Sequence, residues 1–220
     1  MKRISHGWIA QRWHLASVVA LSEIALVLSI CAGFGLISEA SAQTIGSVYT
    51  STAPWNCRVS GSRNGVDDST TRFCPGRAGL GVLVSEDDLR ETISVGRTRV
   101  TAASEPAAQA WFAPFNSSNA TVEWRALDDK PFAIIQRWQL DDNSDEDKNG
   151  RPTAKPILVV TRLPPGAVCH VAYVDVKANP DANELARKAA DEFARGFECG
   201  KDEVKVIGNS GRAAELAVRR

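Results

Sequence analysis

The sequence predicts an α+β domain: a mostly antiparallel β-sheet, one long C-terminal amphipathic helix packed on a face, and two disulfides. Three observations predict it. Segments rich in Val, Ile, Thr and Trp recur between residues 79 and 176, separated by Asp-, Gly- and Pro-rich turns, which is the pattern of strands joined by tight connections. After Asn179 the apolar spacing switches to three and four, the signature of a helix with one buried stripe. Four of the five cysteines lie beyond residue 42, and an even number in an exported chain reads as a disulfide framework.

Residues 1–42 carry the marks of an export signal. Lys2, Arg3 and Arg12 make a positive start, the apolar stretch is strongest over Ile24–Ile37, and Ala40-Ser41-Ala42 offers the small side chains a signal peptidase accepts. The mature chain would begin at Gln43 and form a single domain over residues 43–220. The alternative is an uncleaved membrane anchor. The run Ile24–Ile37 is shorter than the about 20 residues that span a bilayer. Glu23 borders it, and a charge at mid-membrane costs roughly 3 kcal/mol. Cleavage is therefore the expectation.

Residues 43–56, rich in Ser and Thr, read as irregular. Cys57 and Cys74 enclose a polar loop with a turn signal at Asn64-Gly65. That loop has too few apolar residues to hold itself folded, and a Cys57–Cys74 bridge supplies the constraint, roughly 3 kcal/mol on the chain-entropy account. Residues 79–84 and 89–95 read as a hairpin linked by residues 85–88. Pro106 to Phe112 suits a short helix, and residues 114–119 a loop. Residues 121–127, 132–140, 157–163 and 168–176 read as strands.

The helix signals then come in order. Asn179 is the expected N-cap, Pro180 the first helical position and Gly196 the stop. Ala182, Leu185, Ala186, Ala189, Ala190, Phe193 and Phe197 make the stripe, with Glu184, Lys188, Asp191 and Arg195 on the wet side. A short strand over 204–207 follows, and residues 209–220 read as a frayed helix or a disordered tail. A Cys169–Cys199 bridge would clamp the helix to the sheet. Strand alternation would face Cys169, Val171 and Tyr173 toward the helix, and His170, Ala172 and Val174 away from it. Four cysteines allow three connectivities; these two closures are the expected one.

Composition narrows the function. Lys and Arg number 26 against 26 Asp and Glu, so no strong field draws in nucleic acid or an anionic membrane. Membrane contact is expected only through the signal segment, if it is retained. His170 is the one histidine beyond residue 42, which removes zinc sites built on several histidines. Cys169 and His170 are neighbours on a strand, so their side chains diverge, and no G-x-S-x-G elbow is present. The glycine-rich stretch Gly76–Gly81 runs into Val82-Leu83-Val84, which reads as a turn before a strand and not as a phosphate loop.

Three candidate sites stay open. Glu86, Asp87, Asp88, Asp128 and Asp129 could pair for hydrolysis by carboxylates. Trp111, Trp124 and Trp138 suit packing first and a ligand surface second. Asp145, Asp147 and Asn149, followed by Gly150, match the first half of a calcium loop, but Pro156 stands where the bidentate Glu belongs. The expectation is thus a periplasmic or secreted, disulfide-stabilised module that binds a protein or another envelope component. It has no assigned catalytic residue and no cofactor beyond weak calcium. A carboxylate-based hydrolase is the runner-up, and an anchored envelope protein the alternative if the signal stays.

Overall fold

The structure, a computed structural model, describes residues 43–61 and 69–218. The signal segment 1–42 and the Asn64-Gly65 turn lie outside the described residues. Strands β1 (Ile45–Ser51), β6 (Asn116–Leu127), β7 (Lys130–Glu146), β8 (Pro152–Arg162), β9 (His170–Asp175) and β10 (Lys205–Val206) build a six-stranded sheet in the order β1-β6-β7-β8-β9-β10. Its ladders are antiparallel except for β9 with β10. Strands β2 (Arg58–Gly61), β3 (Thr70–Pro75), β4 (Gly81–Asp87) and β5 (Arg90–Gly96) build a second, antiparallel sheet of four. Helices α1 (Arg99–Ala103), α2 (Ala182–Phe193) and α3 (Arg212–Val218) are all short.

This corrects the expected α+β fold. The protein is mostly β, with two sheets instead of one, and it has no long C-terminal amphipathic helix. The segment read as irregular contains β1, an edge strand paired along β6 from Ile45 opposite Leu127 to Ser51 opposite Thr121. The expected helix is trimmed to Ala182–Phe193 because its intended cap is engaged elsewhere. The Asn179 amide donates to the Asp175 and Asn209 carbonyls, each at 2.9 Å, and its Oδ1 accepts the Asn209 N–H at 2.8 Å. Of the two readings of the C-terminal segment, the helix is the one found over the described residues: Arg212–Val218 form α3, whose Ala213, Ala214, Leu216 and Ala217 are buried.

Each face of the six-stranded sheet carries its own core. On one face Val122, Trp124, Ile134, Trp138, Leu140 and Ile157 meet Val82, Val84, Ile93 and Val95 of the four-stranded sheet, and α3 adds Ala213, Leu216 and Ala217. On the other, Ala133, Ile135, Leu158, Val160, Val171 and Val174 meet Ala182, Ala186, Ala189 and Ala190 of α2. The alternation of side chains lets β7 serve both, Ile134 pointing one way and Ile135 the other. That is why residues 132–136 read as an unbroken buried run.

Strand β9 breaks the alternation. Val160 pairs with Ala172, yet Thr161 pairs with His170, leaving Val171 as the extra residue of a bulge. Val171, Ala172 and Val174 therefore all join the α2 core. Tyr173 joins the sandwich core, and His170 reaches its hydroxyl. The expected faces of Ala172, Tyr173 and Val174 are reversed by this one inserted residue.

Charged side chains fasten the rims. Arg125 forks onto Asp191 at 2.8 and 2.6 Å, and Arg187 reaches Glu123 at 2.6 Å, tying α2 to β6. Asp191 therefore faces the sheet and not the expected wet side. Glu91, buried at the sandwich edge, accepts Arg72 Nη2 at 2.7 Å and the Ser118 N–H at 2.7 Å, tying the two sheets together.

Candidate functional site

The single histidine beyond residue 42 is a core residue. His170 is 4% exposed, stacks against Phe112, and places Nδ1 2.9 Å from the Tyr173 hydroxyl. Burial pushes its pKa down to about 4, so it stays neutral and is shut off from solvent, unsuited to proton exchange with a substrate.

The acidic runs do not gather. Glu86, Asp87 and Asp88 sit where β4 turns into β5, and Asp88 pairs with Arg90. Asp128 and Asp129 form the β6–β7 turn beside Lys130, and Asp128 Oδ1 accepts the Thr44 N–H at 3.0 Å. Both turns have two residues at positive φ, namely Asp88 with Leu89 and Asp128 with Asp129, the geometry that hairpins of two residues need. Lys130 lies near the opposite end of β4, by Leu80. The two carboxylate groups are thus separated by about the length of that strand, roughly 20 Å at 3.3 Å per residue. Paired carboxylates of a glycosidase stand within roughly 10 Å.

The calcium-like residues have protein partners. Asp145 Oδ2 accepts the Thr153 hydroxyl at 2.6 Å and pairs with the Lys155 ammonium, which holds its carboxyl below the usual range. Asp147 Oδ1 accepts the N–H groups of Asn149 at 2.8 Å and Arg151 at 3.0 Å, which close the β7–β8 turn. Those two N–H groups likewise depress its pKa. Among the described residues no three His, Cys, Asp or Glu side chains converge to hold a metal.

The cysteines are joined Cys57 to Cys74 and Cys169 to Cys199, with Cα atoms 4.2 and 5.9 Å apart. The first bolts β2 to β3. The second ties the start of β9 to the chain beyond α2. Of the tryptophans, Trp124 and Trp138 are core residues, Trp111 is 41% exposed, and Trp55, which carried no signal in the sequence reading, is 85% exposed.

Of the cavities on the described surface, two bear on the candidate sites. One, of about 330 Å³, lies between the β7–β8 hairpin and α3, lined by Pro114, Asp142, Ser144, Arg212 and Leu216. Two of its charges, Arg212 and Asp142, are engaged with each other. Arg212 forks onto Asp142 at 2.7 and 2.8 Å, and Ser144 donates to the same carboxylate through N–H and hydroxyl. That guanidinium, first among the causes, holds Asp142 far below the usual carboxylate range.

The other, of about 350 Å³, lies at one end of the sandwich, where four connections converge. The β3–β4 turn contributes Ala78 and Leu80; the β5–α1 junction contributes Gly96, Arg97 and Thr101. The β6–β7 hairpin contributes Lys130 and Pro131, and Pro164 comes from the β8–β9 loop. Gly96 lets the chain fold back so closely because a Cβ there would stand 2.5 Å from the Ala102 nitrogen. Glu105 completes the wall, its Oε2 accepting the Val168 N–H at 2.7 Å. Among the described residues neither the Arg97 nor the Lys130 side chain has a hydrogen-bond or ion-pair partner. The lining holds no His, Cys or Ser, so a nucleophile activated by a nearby imidazole is not available there.

Sequence reasoning did not find this cavity. The glycine-rich stretch Gly76–Gly81 is the turn it was read as, yet it also forms a wall of the site. Arg97 lies at the β5–α1 junction and Lys130 in the β6–β7 hairpin, and nothing in their local sequence signals that they meet. Compared with known proteins, the chain matches no family model, no curated protein and no solved structure.

Proposed function

We propose that the chain is an exported binding module, periplasmic or secreted, an accessory of the cell envelope and not an enzyme. The observation that supports it most is the pair of disulfides, Cys57–Cys74 and Cys169–Cys199, which join all four cysteines of the described residues. Bridges of this kind persist in oxidising compartments and are rare in a reducing cytosol. The signal-like pattern of residues 1–42 agrees with them. Among the described residues no helix is long and apolar enough to cross a membrane. A binding role is supported by the end cavity, which offers charge and apolar surface and has no His, Cys or Ser in its lining. A hydrolase built on the acidic turns finds no support, since those carboxylates stand apart.

Two measurements test the proposal. Alkylation of the protein as made in its own cell, without reductant, should leave all four cysteines unmodified. Its intact mass should correspond to a chain starting at Gln43, with that residue free or cyclised. Alkylation at all four positions would overturn the proposal. A mass that retains residues 1–42 would replace the released module by an anchored one.

A further inference from the structure

Resting on the binding-module reading, we propose that the cavity at the end of the sandwich is a binding site for a small amphipathic anion: a carboxylate or phosphate group carried on a compact apolar body.

The charge argument comes first. Five cations elsewhere are engaged with carboxylates, Arg72 with Glu91, Arg125 with Asp191, Lys155 with Asp145, Arg187 with Glu123 and Arg212 with Asp142, while others, Lys188 among them, stand singly on the open surface. Arg97 and Lys130 are brought to one cavity from different sheets and have no such partner. Glu105 is the one acidic group in the lining, and one of its oxygens is held by the Val168 N–H. Two cations therefore face one carboxylate, in a concavity where field lines concentrate. Asp129 adjoins Lys130 in the turn but does not line the cavity. The Arg97 guanidinium lies over the β3–β4 turn, where Nη1 would stand 3.5 Å from a Cβ placed on Gly79.

The rest of the lining sets the body of the ligand. Leu80, Pro131, Pro164 and Ala78 present apolar surface, and proline has no backbone N–H to offer. Leu80 also packs against the sandwich core, so this wall is fixed. A head group between Arg97 and Lys130, with a body against Leu80 and the prolines, matches both halves of the lining. A volume of about 350 Å³ is at the small end of ligand sites, roughly 300–1,000 Å³. It suits about one ring and not an oligomer.

The test is a titration followed by backbone amide NMR, on the protein with both disulfides intact. Four probes separate the terms: phenyl phosphate, phenylacetate, inorganic phosphate and benzyl alcohol. Phenyl phosphate and phenylacetate should shift the amides of Gly79, Leu80, Arg97 and Lys130. Inorganic phosphate and benzyl alcohol should bind more weakly, each lacking one half of the chemistry. Arg97→Gln and Lys130→Gln should each weaken phenyl phosphate roughly fivefold, the scale of an exposed charge pair. Lys188→Gln, the same charge change on the exposed side of α2, should leave binding unaltered. Retained amide dispersion shows that each variant is folded.

Benzyl alcohol binding as tightly as the anions would overturn the anion site, as would wild-type affinity in both Arg97→Gln and Lys130→Gln. Inorganic phosphate binding as tightly as phenyl phosphate would overturn the apolar half. No shift at the cavity with any probe would overturn the site outright. The thiol and mass measurements would still decide the export reading separately.

Discussion

The two faces of the six-stranded sheet are covered by different means. The sandwich face packs large aromatic side chains and buries polar groups among them: Trp124, Trp138, Phe112 and Tyr173, with His170 and Gln136. Its helix, α3, is held by carboxylates. Asp175 Oδ2 accepts the N–H groups of Ala213 at 2.8 Å and Ala214 at 3.3 Å, while Oδ1 accepts those of Lys177 and Ala178. The other face is built from small aliphatic side chains against the alanine stripe of α2. It places its ion pairs at the rim and adds a disulfide. The difference teaches that a helix of seven residues, too short to stand alone, can be fixed by one buried carboxylate, whereas a helix of twelve relies on area and a cross-link.

The largest expected effect breaks the first half of that comparison. Asp175→Ala leaves four backbone N–H groups without their acceptor and should destabilise by about 4 kcal/mol in urea. Amide exchange should collapse first at Ala213 and Ala214; unchanged exchange there would show that α3 is held by burial alone. Next comes the cross-link. Replacing Cys169 and Cys199 by Ser should cost roughly 3.5 kcal/mol, against roughly 3 for Cys57 and Cys74, because the loop closed is longer, 30 residues against 17. A reversed order would mean that the four-stranded sheet depends on its bridge for more than loop closure.

The third effect reads the polar burial of the sandwich face. His170 is held neutral, its pKa pushed down to about 4 by burial, against roughly 6.5 in an unfolded chain. Below pH 6.5 the unfolded chain takes up a proton that the native ring refuses. Stability from this group is therefore complete above about pH 6.5 and drains by about 3 kcal/mol as pH falls to 4. His170→Gln should flatten that slope, as read from urea midpoints between pH 7 and 4.5. The smallest effect lies at the rim of the α2 face. Asp191→Asn weakens the fork from Arg125 and should cost about 1 kcal/mol, as expected of a partly exposed pair; salt should narrow the gap to wild type.

How much of this was legible in the sequence follows from the range of each interaction. The alanine stripe of α2 was readable because its residues meet through a period of three and four within one element. The β4–β5 hairpin was readable because its turn and strands are contiguous. Strand β1 was not: its Ser and Thr residues gain strand geometry only from pairing with β6. The late start of α2 is hidden because Asn179 answers to Asn209, and the sequence leaves α3 open between frayed helix and tail because its first N–H groups are held by Asp175, 38 residues away. The faces of β9 were misjudged by one bulged residue, and alternation rules carry no signal for that. The end cavity joins turns from both sheets, so no window of sequence contains it.

The Cys57–Cys74 bridge has a consequence for register. Arg58 lies opposite Phe73 in the β2–β3 ladder, so the two cysteines stand one step further along the same ladder. Strand β2 is the outer strand of its sheet and exposes Val59, and Trp55 just before it is also exposed. Short outer strands of this kind are prone to slip by a residue or to exchange with a strand from another chain, and a slip turns every side chain to the opposite face. With the cross-link in place neither can happen, because any sliding of β2 along β3 is stopped by a covalent bond. Reduction would therefore loosen alignment before it loosened the core, and the first visible product would be chains that have exchanged β2, still folded.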